Sequence, residues 1–191
     1  MRSELYEIVI STTRHVTPPV RRLARELSYA LWSAKRVNRG GSSFSELVLR
    51  ARSLGARRLI IVGRGLHGNP GRIVFFDIGG TQTRPLLLLR LRGVAFPEKL
   101  RSIRRPSARI LVVSVGRCSE ESEGIAEDIA YAVNSSYLGC LDEKDLKTFR
   151  EARVLVVEHV LEEHLAYVLK FIDNSQEIGL KILVKSTKVY Y

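Results

Sequence analysis

The chain has 191 residues, 45% of them hydrophobic, which is enough for a sizeable core and excludes a disordered polymer. Its formal net charge of +11 points to an acidic partner. Nucleic acid is favoured over membrane, because no apolar run approaches the ~20 residues that span a bilayer.

Residues 1–7 lead into no signal-type apolar core, so a cytoplasmic chain is expected. Cys118 and Cys140 are the only two cysteines; their spacing fits neither a disulfide framework nor a metal knuckle, and each is read as a small buried thiol. The charge is uneven. Residues 1–97 carry 17 Lys and Arg against 5 Asp and Glu, whereas residues 98–191 carry 14 against 15. A basic N-terminal half (1–97) is thus joined to a neutral C-terminal half (98–191), and the first is expected to face a polyanion.

In chain order, the alternation from Leu5 to Ile10 predicts a strand. Thr17 is placed as the N-cap of a helix with Pro18 at its first position; Val20, Leu23, Ala24, Leu27 and Leu31 form its apolar face, and Arg21, Arg22 and Arg25 the opposite one. A loop follows at residues 35–43, Lys-Arg-Val-Asn-Arg-Gly-Gly-Ser-Ser. Ser43 and Glu46 make a capping-box pattern for a second helix, with Phe44, Leu47, Val48, Ala51 and Leu54 inward and Gly55 at its end. Leu59–Val62 reads as a buried strand and residues 63–71 as a long turn. Residues 72–78 and 83–92 read as a hairpin, with Pro85 at an edge or entry position.

Residues 97–106 read as the connection between halves. After them come a strand at Arg109–Val115, a helix capped by Ser119 with Ile125, Ala126, Ile129, Ala130 and Val133 inward, and a shorter helix capped by Asp142 with Leu146 and Phe149. A strand at Val154–Val157 and a hairpin of His164–Ile172 with Ile178–Ser186 complete the chain. The halves repeat one order: strand, helix, helix, strand, hairpin, with corresponding elements about 92 to 104 residues apart. The fold class is therefore α/β (α+β), two similar halves each with a mixed sheet and helices; one continuous mixed sheet is the alternative.

The segment Gly63–Gly68 is a literal G-x-G-x-x-G after a strand, but a strand rather than a helix follows it, so a dinucleotide site is rejected. His159 and His164 are too far apart on a helix to share zinc, and no metal or cofactor is expected. The acidic group Glu120, Glu121, Glu123, Glu127 and Asp128 decorates the first turns of its helix and could steer a basic protein. What remains is a basic constellation: Arg14, Arg21, Arg22 and Arg25; Lys35, Arg36, Asn38, Arg39 and Gly40; Arg64, Asn69 and Arg72. Their loops are expected to converge at one end of the sheet, where guanidinium groups with few aromatics favour phosphate and shape recognition over base stacking.

Residues 10–14 (Ile-Ser-Thr-Thr-Arg), 22–27 (Arg-Leu-Ala-Arg-Glu-Leu), 36–40 (Arg-Val-Asn-Arg-Gly) with 45–47 (Ser-Glu-Leu), and 68–71 (Gly-Asn-Pro-Gly) resemble the Brix domain family of ribosome biogenesis proteins. The likeness is to short archaeal members of the Imp-four type. It implies a non-catalytic factor that binds pre-ribosomal RNA and assists its processing or assembly, with ribosome assembly proteins as further partners. It also implies halves that each resemble the anticodon-binding domains of class II aminoacyl-tRNA synthetases. The family's Ser-Arg-x-Pro pattern is altered here, because Thr13 and Arg14 are followed by His15, Val16 and Thr17 before Pro18. Two other readings stand beside this one: a tRNA-binding accessory module, and a nucleotide-dependent RNA-modifying enzyme using the turn at residues 63–71.

Overall fold

The computed structural model describes residues 5–99, 103–116 and 118–190. Ten strands form one continuous sheet. In chain order the elements are β1 (Ile8–Thr12), α1 (Pro18–Ala30), β2 (Ala34–Arg36), α2 (Phe44–Ser53), β3 (Arg58–Arg64), β4 (Pro70–Asp77), β5 (Arg84–Ala95), β6 (Leu111–Gly116), α3 (Glu120–Ala132), β7 (Ser136–Leu141), β8 (Val154–Glu162), β9 (Leu165–Asp173) and β10 (Gln176–Val189). The two turns at Leu66–Gly68 and Glu143–Thr148 are 3-10 helices.

The strand order is β2-β1-β3-β4-β5-β10-β9-β8-β6-β7, which reads the same from both ends when each N-terminal strand is matched to the one five later. β1 lies parallel to β2 and β3, as β6 does to β7 and β8. The remaining neighbours are antiparallel, and β5 pairs with β10 to join the two five-strand arrays. The repeat and the single mixed sheet are therefore both present.

Period-two alternation decides which side each residue serves. Ile8, Ile10, Ile60 and Val62 meet α1, and Val112, Leu155 and Val157 meet α3, in one core shared by both arrays. Val9, Leu59 and Ile61 point the other way, onto Leu47, Val48 and Ala51 of α2. Val113, Val115, Val154 and Val156 make the matching satellite beneath Leu146. The apolar faces expected for all three α-helices are the ones turned inward.

Two arginines bind the arrays to each other in the same manner. Arg58 pairs with Asp77 at 3.1 Å and donates to the Tyr131 carbonyl at the end of α3. Arg153 pairs with Asp173 and donates to the Tyr29 carbonyl at the end of α1 at 2.9 Å. Each cation meets the negative end of the other array's helix, where it is favoured. Glu7 accepts from Arg109 at 2.8 Å and from the Asn134 side chain across the same junction.

Several expectations are corrected. Lys35 and Arg36 lie in β2, and residues 136–141 form β7; both edge strands are too short, or too polar on one side, to show a period of their own. Thr17 is the N-cap residue of α1 as expected, but its hydroxyl donates to the Gly68 carbonyl and makes no side-chain cap. The helix expected after Asp142 is a 3-10 turn without a side-chain cap. Gly63, Arg64, Pro70 and Gly71 belong to strands, which shortens the expected long turn to residues 65–69. Cys118 and Cys140 form a disulfide; Cys118 is half-buried and Cys140 exposed, so neither is a buried thiol. Residues 100–102 of the expected connection, and the opening residues 1–4, lie outside the described residues.

Candidate nucleic-acid interface

Three backbone segments bring the cations of the first array together. The loop after β1 carries Arg14, the first turns of α1 carry Arg21, and β2 with the loop beyond it carries Arg36, Asn38, Arg39 and Gly40. All six line one concave space of about 450 Å³, with Thr12, Thr13, His15 and Val16 completing its wall. Arg36 stands opposite Ile10 in the β1–β2 pairing, on the α1 side of the sheet, and so faces Arg21 and Arg25. Its neighbour Lys35 stands opposite Val9 on the α2 side, where its ammonium lies 4.7 Å from the Tyr6 ring centroid. One residue of register separates a cleft cation from a structural one.

The guanidinium groups are positioned by neutral oxygens. Arg14 donates to the carbonyls of Gly41 and Ser42, Arg21 to Val16, Arg36 to the Asn38 side chain at 2.8 Å, and Arg39 to Ser42. None of the four forms an ion pair with a carboxylate among the described residues. Burial, then Arg25 and Arg21, push Arg36 below its ordinary pKa; burial, then Arg14, do the same to Arg39. The cleft is thus an assembly of mutually repelling cations, a state that an anion would relieve.

The capping box expected at Ser43 closes the far side of this loop. Glu46 accepts from the Ser43 amide at 2.7 Å while its own amide donates to the Ser43 hydroxyl. Hydrogen bonds from the Ser43 backbone and side chain, with the field of Arg14, hold the Glu46 carboxyl below the usual range. The N-terminus of α1 contributes less than its dipole suggests, because Pro18 and Pro19 supply no amide hydrogens and Val20 is fully buried.

Arg22 and Arg25 occupy an adjoining concavity of about 560 Å³ that shares Arg21 and Arg36 with the first. Here the sequence reading lacked a partner: Glu26 is 1% exposed, lies 3.0 Å from Arg25 and 3.9 Å from Arg22, and offsets part of their charge. Arg22 also donates to the Pro97 carbonyl and lies over Phe96 at 4.5 Å. A carboxylate close behind Arg21, Arg22 and Arg25 on one helix signals an internal ion pair, and Glu26 sits four positions after Arg22.

Arg64, Asn69 and Arg72 do not join this cleft; they line a separate concavity on the other side of the 65–69 turn. That turn is closed rather than cradle-like. A Cβ on Gly65 would lie 2.7 Å from Gly71 Cα, so two backbones pass there in direct contact. His159 lies in β8 and His164 in the turn beyond it, and among the described residues no group of three or more His, Cys, Asp or Glu is placed to hold a metal.

Fold and cleft together define a class: a duplicated α/β protein on one ten-stranded sheet, with a cationic cleft in its first array. No family model matches the chain. Over 94 residues it is 32% identical to a curated protein of Aeropyrum pernix named a probable Brix domain-containing ribosomal biogenesis protein, a match covering 48% of this chain and 51% of that one. A protein of the same name from Sulfurisphaera tokodaii is 31% identical over 72 residues, covering 38% and 40%. The matched segment spans about half the length of these relatives. Among solved structures, a probable ribosomal biogenesis protein from Aeropyrum pernix superposes with a TM-score of 0.75 at 24% identity, over 95% of this chain and 96% of that one. An archaeal Imp4-like protein superposes with a TM-score of 0.68 at 20% identity, over 96% and 99%. The fold is theirs over nearly the whole chain, and the resemblance to the Brix domain family holds in sequence over about half of it.

Proposed function

We propose that the chain is a Brix-family factor of ribosome biogenesis, a non-catalytic RNA-binding protein that holds pre-ribosomal RNA during processing or assembly in the cytoplasm. The carrying observation is the cleft in which Arg14, Arg21, Arg36 and Arg39 converge with only neutral oxygens as hydrogen-bond partners. Guanidinium forks without carboxylates suit the phosphate oxygens of a folded RNA. The basic segment 1–97 carries this surface, and the segment 98–191 is left for ribosome assembly proteins. Among the described residues no helix is long and apolar enough to cross a membrane.

The test is the salt dependence of binding to ribosomal RNA. The double variant Arg36→Ala/Arg39→Ala should flatten the log–log slope by roughly 0.7 to 0.9 for each phosphate it no longer neutralises. An unchanged slope and affinity would refute the assignment of the cleft. Crosslinking in native lysate, followed by sequencing of the bound RNA, should return ribosomal rather than transfer RNA.

A further inference from the structure

The separate basic concavity lined by Arg64, Asn69 and Arg72, about 830 Å³, lies where the two arrays meet. Alternation from Ile73, Phe75, Leu87 and Leu89, which are buried in the shared core, turns Arg72 and Arg90 to the opposite face of the sheet. The two arginines stand directly opposite each other in the β4–β5 pairing. Like charges at that separation oppose strand pairing and are ordinarily avoided. Gly63 stands opposite Arg72 on the next strand, and a Cβ there would lie 2.8 Å from Arg72 Cγ and Nε. The missing side chain gives Arg72 its place on the sheet. On the other flank Arg90 faces Ser186, and Lys185 is at the irregularity in β10 just before it.

Arg64, Arg72, Arg90 and Lys185 are exposed and form no ion pair with an acidic residue among the described residues. Arg92, on the same rim, is met by Glu162 at 3.7 Å and is left out. The 65–69 turn is the boundary between this concavity and the first cleft: the Thr17 hydroxyl at the start of α1, next to the cleft residue Val16, donates to the Gly68 carbonyl in that turn.

From this we infer that the face around Arg72, Arg90 and Lys185 is a second phosphate-binding site, occupied by the same RNA strand that fills the cleft. It rests on the RNA reading above and extends it. The strand would leave the cleft, pass the 65–69 turn and cross the β5–β10 seam, so that the second array contributes Lys185 to the footprint. An RNA backbone fits better than an acidic polypeptide, because the face abuts the cleft across a single turn, within reach of one strand, and its cations, like those of the cleft, have no carboxylate partners among the described residues.

Uridine oligonucleotides of two lengths, roughly 6 and roughly 20 nucleotides, separate the sites, since phosphate recognition tolerates any sequence. Arg90→Ala/Lys185→Ala should weaken binding of the long oligonucleotide about tenfold and reduce its salt slope by roughly 0.7 for each phosphate released, leaving the short one unaffected. Arg36→Ala/Arg39→Ala should weaken both. Arg90→Lys should keep the wild-type salt slope, and matching circular dichroism shows that the variants are folded. If the face variant binds the long oligonucleotide like wild type while the cleft variant does not, the second site is refuted and the cleft reading stands. If wild type binds neither length, both fall. If the face variant loses affinity for polyglutamate but not for RNA, the face serves an acidic protein and the inference is overturned.

Discussion

The first and second arrays carry the same framework with opposite chemistry at equivalent points. α1 and α3 start at residues 18 and 120 and each run 13 residues, so a shift of 102 superposes them. That shift carries Arg21 onto Glu123 and Arg25 onto Glu127. Arg36, next to the strand position of Ile10, has its counterpart in Tyr137, next to Val112. Tyr137 donates to Glu123 at 3.1 Å and bonds the Ser114 hydroxyl at 2.6 Å; burial, joined by the nearby Glu123 and Glu127, raises its pKa against the opposing pull of the Ser114 bond. Where the first array gathers Arg14, Arg21, Arg36 and Arg39 without ion-pair partners among the described residues, the second closes its site with internal hydrogen bonds. The framework thus tolerates either chemistry, and the cationic cleft is a property of side chains grafted onto a repeat.

The equivalence of the two frameworks makes the largest prediction. Arg153 is nearly fully buried and Arg58 slightly less so, and each satisfies a carboxylate of its own array and a helix end of the other. Losing one partner of a buried ion pair costs several kcal/mol, reduced here because Asp77 and Asp173 are partly exposed. Arg153→Met should cost about 3 kcal/mol and Arg58→Met about 2 kcal/mol, each measured by urea denaturation with an unchanged m-value. A cost below about 1 kcal/mol at either position would mean that the shared geometry does not carry shared energetics.

Much of this framework could be read in advance because it depends on patterns with a fixed period. The apolar faces of α1, α2 and α3 and the Ser43–Glu46 box are local or periodic signals, and each one reappears in the structure; the order of elements reappears with β2 and β7 added and a 3-10 turn in place of the helix expected after Asp142. Gathering of Arg14, Arg21, Arg36 and Arg39 followed from loop placement alone. What escaped depends on three-dimensional pairing. The three-residue β2 takes its register from β1, and that register sends Lys35 to one face and Arg36 to the other. Arg64 and Arg72 were grouped with the cleft because sequence proximity to it does not reveal that the turn closes between them. The Cys118–Cys140 bond becomes meaningful only once the chain has brought the two cysteines together, whereas Glu26 carries a local signal, four positions after Arg22 on one helix.

The helix starts differ in a way that predicts a smaller effect. Ser119 caps α3 by accepting from the Ser122 amide at 3.3 Å, and Glu120, Glu121 and Glu123 occupy its first turn. Thr17 at the equivalent point of α1 makes no side-chain cap. Ser119→Ala should therefore cost about 1 kcal/mol, with faster hydrogen exchange in the first turn of α3. Thr17→Ala should cost no more than one hydrogen bond, about 0.5–1 kcal/mol, and raise exchange at the Asn69 amide of the turn rather than in α1. Equal exchange in the two helix starts would erase the contrast.

The smallest effect is the most discriminating, because its sign differs between the arrays. Arg36 sits among Arg21 and Arg25 with its pKa pushed down by burial and by both neighbours. Removing its charge relieves repulsion, so Arg36→Gln should raise Tm by about 1 °C at low salt while weakening RNA binding. The gain should fade as salt screens the cluster. Glu123, at the position equivalent to Arg21, instead accepts from the Tyr137 phenol and lies in the first turn of α3, where a negative charge is favoured. Glu123→Gln should lower Tm by about 1 °C under the same conditions and leave RNA binding unchanged. A stabilising neutralisation marks a site held ready for an absent counter-charge, and a destabilising one marks a site already complete. Two shifts of the same sign would show that the first cleft is no more frustrated than the second.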